Sequence, residues 1–94
     1  MSQVQIHIDE ECFKNCKKIK HITIPSYVTS IGNNTFYGCS SLRQISFQTP
    51  SSLTSIGQNA FEKCSSLTQI SIPSSVTSIK WETFYECSSL AQIS

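Results

Sequence analysis

Charge is the first thing this sequence has little of. Only 14% of its 94 residues are Asp, Glu, Lys or Arg, and the formal net charge is +1; an average soluble domain carries about 25%. So neutral a surface offers no basic stripe, and neither a nucleic acid nor an anionic membrane is expected as a partner. Long apolar runs are missing too. No segment approaches the roughly 18 consecutive apolar residues that suggest a membrane-spanning helix, so no membrane insertion is expected. The opening run Met1-Ser2-Gln3-Val4-Gln5-Ile6-His7-Ile8-Asp9 has neither a basic start nor an apolar core and does not read as a secretory signal. There is no Gly-x-Ser-x-Gly and no Gly-rich phosphate loop, and His7 and His21 have no repeated acidic or nucleophilic partner. The chain therefore reads as non-enzymatic and without a cofactor.

Cysteine is plentiful but not paired in the usual ways. The five cysteines include no Cys-x-x-Cys, the usual unit of a metal site, and an odd number suits a disulfide framework poorly. Four of them belong to a period. Phe13, Phe36, Phe61 and Phe84 are separated by 23, 25 and 23 residues, and Cys16, Cys39, Cys64 and Cys87 follow each Phe by three. Ile19, Leu42, Leu67 and Leu90 come next, then Ile22, Ile45, Ile70 and Ile93. Ile8, Ile31, Ile56 and Ile79 precede each Phe by five. A disordered Ser-rich chain has no reason to keep such a period, whereas stacked units that bury their apolar faces against one another do.

Each period divides by its internal spacing. Leu67-Thr68-Gln69-Ile70-Ser71-Ile72 ends in alternation of β-branched residues and reads as a strand, closed by Pro73 as Pro25 and Pro50 close its equivalents. Strands are expected near 19–24, 42–47, 67–72 and 90–93, with Val4, Ile6 and Ile8 as a capping strand and Ser75–Ile79 as a second, shorter extended piece. Ala60, Phe61 and Cys64 lie at helical spacing, so about two turns of helix are expected before each strand. The expected fold is thus an α/β repeat: a solenoid with a parallel strand ladder and one short helix per 23–25-residue repeat, in one domain over residues 1–94. Gly32 and Gly57 align with Asp9 and Lys80, so no positive φ is expected there. The two extra residues of the middle repeat, Gln48 and Thr49, read as a loop adjustment beside Pro50. The sequence stops at Ser94 inside a strand with no capping repeat after Ile93, the pattern of a fragment or short member whose open end would self-associate or meet further repeats.

The run Ser65-Ser66-Leu67-Thr68-Gln69-Ile70-Ser71-Ile72-Pro73-Ser74-Ser75-Val76-Thr77-Ser78-Ile79 resembles the repeat of BspA-like leucine-rich repeat proteins. Phe36-x-x-Cys39-Ser40-Ser41-Leu42 and Phe84-x-x-Cys87-Ser88-Ser89-Leu90 continue the likeness, which covers about residues 8–94. The resemblance implies a leucine-rich repeat solenoid, no catalytic residues, and an adhesin or surface-antigen role: binding of a protein or glycan partner at the cell surface or outside the cell. A structural segment that extends an array without its own ligand is the alternative.

Three groups of residues are candidates for function. The repeated cysteines read first as small buried hydrophobes, with a disulfide or metal ladder as the other readings; Cys12 and Cys16 would share a helix face. Thr23, Ser46, Ser71 and Ser94 fall between inward isoleucines and so point outward, with Gln44, Gln69 and Gln92 beside them. This uncharged stripe is either a solvated face or a flat hydrogen-bonding surface for a partner. Trp81 stands where Glu10, Asn33 and Gln58 stand in other repeats, while Tyr37 and Tyr85 share a position with Lys14 and Glu62. All three aromatics are therefore expected at the surface, as anchors for a partner or as packing at the end of the stack, with Trp81 and Tyr85 touching on the last helix.

Overall fold

The computed structural model describes residues 6–8 and 10–93, and of residues 6–8 and Trp81 the backbone alone. Short strands alternate with turns along an elongated body of 43 × 24 × 22 Å. The strands are β1 (Ile6–Ile8), β2 (His21–Ile24), β3 (Val28–Ile31), β4 (Gln44–Phe47), β5 (Ser55–Ile56), β6 (Gln69–Ile70) and β7 (Gln92–Ile93). They form two sheets, β1-β3-β5 and β2-β4-β6-β7, in which every pair is parallel. The register follows the period: Ile22 pairs with Ile45, Ile24 with Phe47, Ile31 with Ile56 and Ile70 with Ile93. The ladder expected over 19–24, 42–47, 67–72 and 90–93 is present, with shorter strands. The second extended piece is a strand in β3 and β5 but not at 75–79, where Thr77 still donates to the Thr54 carbonyl at 3.3 Å. Val4 lies outside the described residues. Proline makes the corner between the two sheets: Pro25 follows β2, cannot extend the ladder, and its carbonyl accepts the Val28 amide at 3.2 Å.

The expected helix in each repeat is not there. Residues 11–15, 33–38 and 58–63 are consecutive turns, and the one helical stretch among the described residues is a four-residue 3-10 helix, Trp81–Phe84. The hydrogen bonds explain why. In the second repeat Thr35, Tyr37 and Cys39 donate three residues back, to Gly32, Asn34 and Phe36, while Asn34, Phe36 and Gly38 donate across to Gln58, Ala60 and Glu62. Alternate amides thus bond within the repeat and to the next one, whereas an α-helix would direct its interior amides within itself. Spacing forces the choice. The Phe rings of neighbouring repeats are 5.3–5.6 Å apart, and helices need about 8–10 Å between axes. The turns close through residues at positive φ: Glu11, Asn34 and Asn59 at one repeat position, and Asn15, Gly38, Lys63 and Glu86 at another. Asn and Gly favour that conformation, and a helix does not tolerate it every four residues.

The core is a line of side chains between the two sheets and the turns. Phe36, Cys39 and Leu42 and, one repeat on, Phe61, Cys64 and Leu67 are wholly buried. Their equivalents Phe13, Cys16 and Ile19 at one end and Phe84, Cys87 and Leu90 at the other are partly buried against them. The four phenylalanines stack with interplanar angles of 5–6°. Gly57 does not have a positive φ, as its alignment implied. Its role is close approach: a Cβ there would lie 2.5 Å from the Asn33 amide nitrogen.

Candidate functional site

The sheet β2-β4-β6-β7 brings the uncharged stripe together. His21, Gln44, Gln69 and Gln92 lie in one register row, and Thr23 pairs with Ser46 in the next. Thr23, Gln44, Gln69, Ser71 and Gln92 are exposed and Ser46 is half-buried; Ser94 lies outside the described residues. Alternation in the strands does this, because the isoleucines between these residues point to the core: Ile45 is 4% exposed and Ile70 2%. Adjacent rows touch, since the His21 Nε2 and the Ser46 Oγ share a hydrogen bond of 3.4 Å.

Sequence reasoning missed that part of this face is a groove. A cavity of about 600 Å³ opens over β4 and β6, with Gln44, Ser46, Gln69 and Ser71 on its floor. One wall is Thr49–Ser51, in the loop that carries the two extra residues of the middle repeat; the other is Pro73–Ser75. The loop is fixed to the preceding repeat by the Ser26 amide, which donates to the Gln48 Oε1 at 3.1 Å. No charged side chain lines the groove. One of its hydroxyls, the Ser75 Oγ, is buried without a hydrogen-bond partner. The signal was the difference in repeat length, read from sequence as a loop adjustment.

The aromatic candidates do not share one helix face. Trp81 opens the 3-10 helix, and its side chain lies outside the described residues. Tyr85 follows the end of that helix in extended conformation, φ −60° and ψ 134°, so the two do not share a helix face as expected. Tyr85 is 49% exposed. Tyr37 is half-buried between two cations, with the Lys14 Nζ 5.6 Å and the Lys63 Nζ 5.5 Å from its ring centroid. A hydrogen bond to Tyr37, together with the charges of Glu86 and Glu62, raises the pKa of the Lys63 ammonium above its usual value. Nor is this repeat position uniformly exposed: Glu62, aligned with Tyr37, is buried and accepts from the Asn59 Nδ2. Tyr27 at 62% exposure was not singled out from sequence.

The cysteine ladder is a row of free thiols. Three of its four S–H groups donate to the Phe carbonyl of the preceding repeat: Cys39 to Phe13 at 3.1 Å, Cys64 to Phe36 at 3.2 Å and Cys87 to Phe61 at 2.9 Å. Burial pushes Cys39 up to about 11 and raises Cys64 and Cys87 as well. Such thiols are poor nucleophiles and poor ligands. Cys12 is exposed, although its equivalents Thr35, Ala60 and Thr83 are wholly buried. With no helix over 11–15, Cys12 and Cys16 do not share a helix face. Among the described residues no three His, Cys, Asp or Glu side chains are placed to hold a metal ion, and no helix is long and apolar enough to cross a membrane.

A stack of 23- or 25-residue turns with a parallel ladder on one side and a core row of Phe, Cys, Leu and Ile defines a leucine-rich repeat solenoid. The family model described as BspA type leucine rich repeat region (6 copies) matches residues 5–94, and the chain belongs to that family. Solved structures agree. A leucine-rich repeat protein from Bacteroides capillosus is 30% identical with a TM-score of 0.82, the match covering 94% of this chain and 61% of that one. A leucine rich cell surface protein from Faecalibacterium prausnitzii is 32% identical with a TM-score of 0.71, over 94% of this chain and 30% of that one. The leucine-rich repeat protein of T. pallidum is 28% identical with a TM-score of 0.65, over 94% and 51% respectively. The chain therefore spans about three-fifths or less of the length of these relatives. No curated protein matches it.

Proposed function

We propose that the chain is a non-catalytic binding module of adhesin type, which holds a neutral protein or glycan partner on the exposed face of the β2-β4-β6-β7 sheet. The observation that carries this reading is the register of that face. Uncharged amides and hydroxyls repeat along it row by row, backed in the middle repeats by the buried Ile45 and Ile70, which fix their positions. A rigid row of groups that both donate and accept suits recognition through many modest hydrogen bonds. One relative is by its own description a cell surface protein, which suits the same reading. The test is surface plasmon resonance against a panel of immobilised extracellular-matrix proteins and of neutral and sialylated glycans. At least one should bind, Gln44→Arg with Gln69→Arg should weaken it by about tenfold or more, and Lys17→Ser, away from the sheet, should leave it unchanged. Binding indifferent to the double variant, or no binding to any member, would overturn the reading.

A second reading has its own observation. β7 is paired on one side among the described residues, and Ile93 is 51% exposed where Ile45 and Ile70 are buried. A further repeat, from this chain or another, would cover it. Sedimentation velocity over a wide concentration range tests this: a fixed monomer with no growth in mass removes the self-associating segment.

A further inference from the structure

We propose that the groove over β4 and β6 is a site for a neutral saccharide, and that the two-residue insertion Gln48–Thr49 is what makes it a site. The proposal rests on the binding-face reading and narrows it. Volume comes first: about 600 Å³ lies within the range of roughly 300–1,000 Å³ typical of small-ligand pockets. Chemistry comes second. The chain has 13 charged side chains, 7 basic and 6 acidic, and none lines the groove. An anionic or cationic ligand would lose hydration there with no counter-charge in return. The floor instead offers the amides of Gln44 and Gln69, each able to donate and accept, as vicinal sugar hydroxyls do. Phe47 and Ile72, both half-buried, give the lining apolar surface for the C–H face of a ring.

An extended peptide fits less well. A peptide that joins a sheet needs a free strand edge, and β4 is paired on both sides, by β2 and β6. One wall carries the insertion. Pro25 follows directly on Ile24 at the end of β2, whereas Gln48 and Thr49 separate the end of β4 from Pro50, and Thr49 and Pro50 line the groove.

The experiment is an amide-correlation NMR titration of the full chain with lactose, chitobiose, maltotriose and laminaritriose. Each is taken to about 10 mM, where a ligand of millimolar Kd is largely bound. Sialyllactose and a blocked neutral Ser-Gly tetrapeptide are the comparisons. At least one neutral sugar should shift amides within 44–51 and 69–75, and sialyllactose should shift them less than lactose does. Deleting Gln48 and Thr49 should weaken that sugar by about tenfold or more while the melting curve stays cooperative. If the deletion does not fold, Ser74→Trp, which fills the groove from an exposed position, should do the same. No shift with any neutral sugar, shifts with the peptide alone, or undiminished binding by both variants would overturn the proposal. Should the sugars fail while the matrix panel still binds through Gln44 and Gln69, the saccharide site falls and the binding face stands. Failure of both panels removes both.

Discussion

At the scale of single residues, equal positions in successive repeats are a built-in set of substitutions. Thr35 and Thr83 occupy the same position and are both wholly buried, yet the Thr35 Oγ1 donates to the Gly32 carbonyl at 2.7 Å while the Thr83 Oγ1 has no partner. A buried hydroxyl without a hydrogen bond costs about 1–3 kcal/mol, and a satisfied one contributes about 1 kcal/mol. Thr83→Val should therefore stabilise by about 1 kcal/mol and Thr35→Val should destabilise by a similar amount, as read from urea midpoints of the two variants. The cysteines give a pH dependence. Cys39 ionises near 9.0 in its ordinary state and is pushed up to about 11 by burial. Above 9.0 the unfolded chain loses this proton while the folded chain keeps it, so the unfolded state binds fewer protons and stability falls as pH rises. The loss begins near pH 9 and continues to about 11. Cys39→Ala should show a shallower fall of melting temperature over that window than the wild type, the difference isolating this thiol from Lys and Tyr titration. Labelling with a thiol reagent below pH 9 should find Cys12 first.

At the scale of elements, strands were legible and turns were not. The Leu-x-x-Ile-x-Ile pattern marks a strand whether its neighbour is a helix or a turn, because alternation is a property of the strand alone. The Ala60, Phe61 and Cys64 spacing does not separate a helix from stacked turns, since both bring residues three or four apart to one face. The discriminating signal lay at the intervening residues: Asn34 with Gly38, and Asn59 with Lys63, place left-handed conformers four apart. Lys63 and Glu86 hide that signal, because neither residue type suggests positive φ. The groove was hidden for a related reason: an insertion shows in the sequence as length, and its shape depends on the repeats on either side. The outward direction of Gln44, Gln69 and Ser71, by contrast, followed from the strand pattern and was legible. Holding a residue other than Gly in the left-handed region costs about 1–2 kcal/mol, against which Gly adds up to about 1 kcal/mol of unfolded-chain entropy. At the exposed position 86, where φ is 59°, Glu86→Gly should stabilise by about 0.5 kcal/mol, and Glu86→Val should destabilise by about 1 kcal/mol or more. Paired thermal melts of the three proteins check the order.

At the scale of the whole molecule, stability is a sum over neighbours. Phe61 is wholly buried between the rings of Phe36 and Phe84, whereas Phe13 stacks on Phe36 alone and is partly buried. Truncating a buried Phe to Ala costs about 3–5 kcal/mol, a large share of the stability of so small a chain. Phe61→Ala should leave the protein largely unfolded, and Phe13→Ala should only loosen the first repeat. Hydrogen exchange on the wild type should show the same gradient, with the slowest amides at Phe36, Cys39, Phe61 and Cys64 and faster exchange toward Phe13 and Phe84. Uniform protection from end to end would contradict nearest-neighbour coupling.

The turn hydrogen bonds carry one more consequence. From Glu11 to Asn33, Phe13 to Thr35, Phe36 to Ala60 and Phe61 to Thr83, each crossing amide points from an earlier repeat to a later one. These backbone pairs thus act as plug and socket, with the N–H on the face toward the next repeat and the C=O on the face toward the last, while the Gln58 amide, which donates back to the Asn33 Oδ1, and the Phe carbonyls that accept the thiols run the other way. Reversing a repeat would set plug against plug. A chain of this kind therefore obeys a grammar of order, in which repeats can be duplicated, deleted or shuffled, and two molecules can be spliced head to tail, but a head-to-head junction would leave a row of amides facing amides.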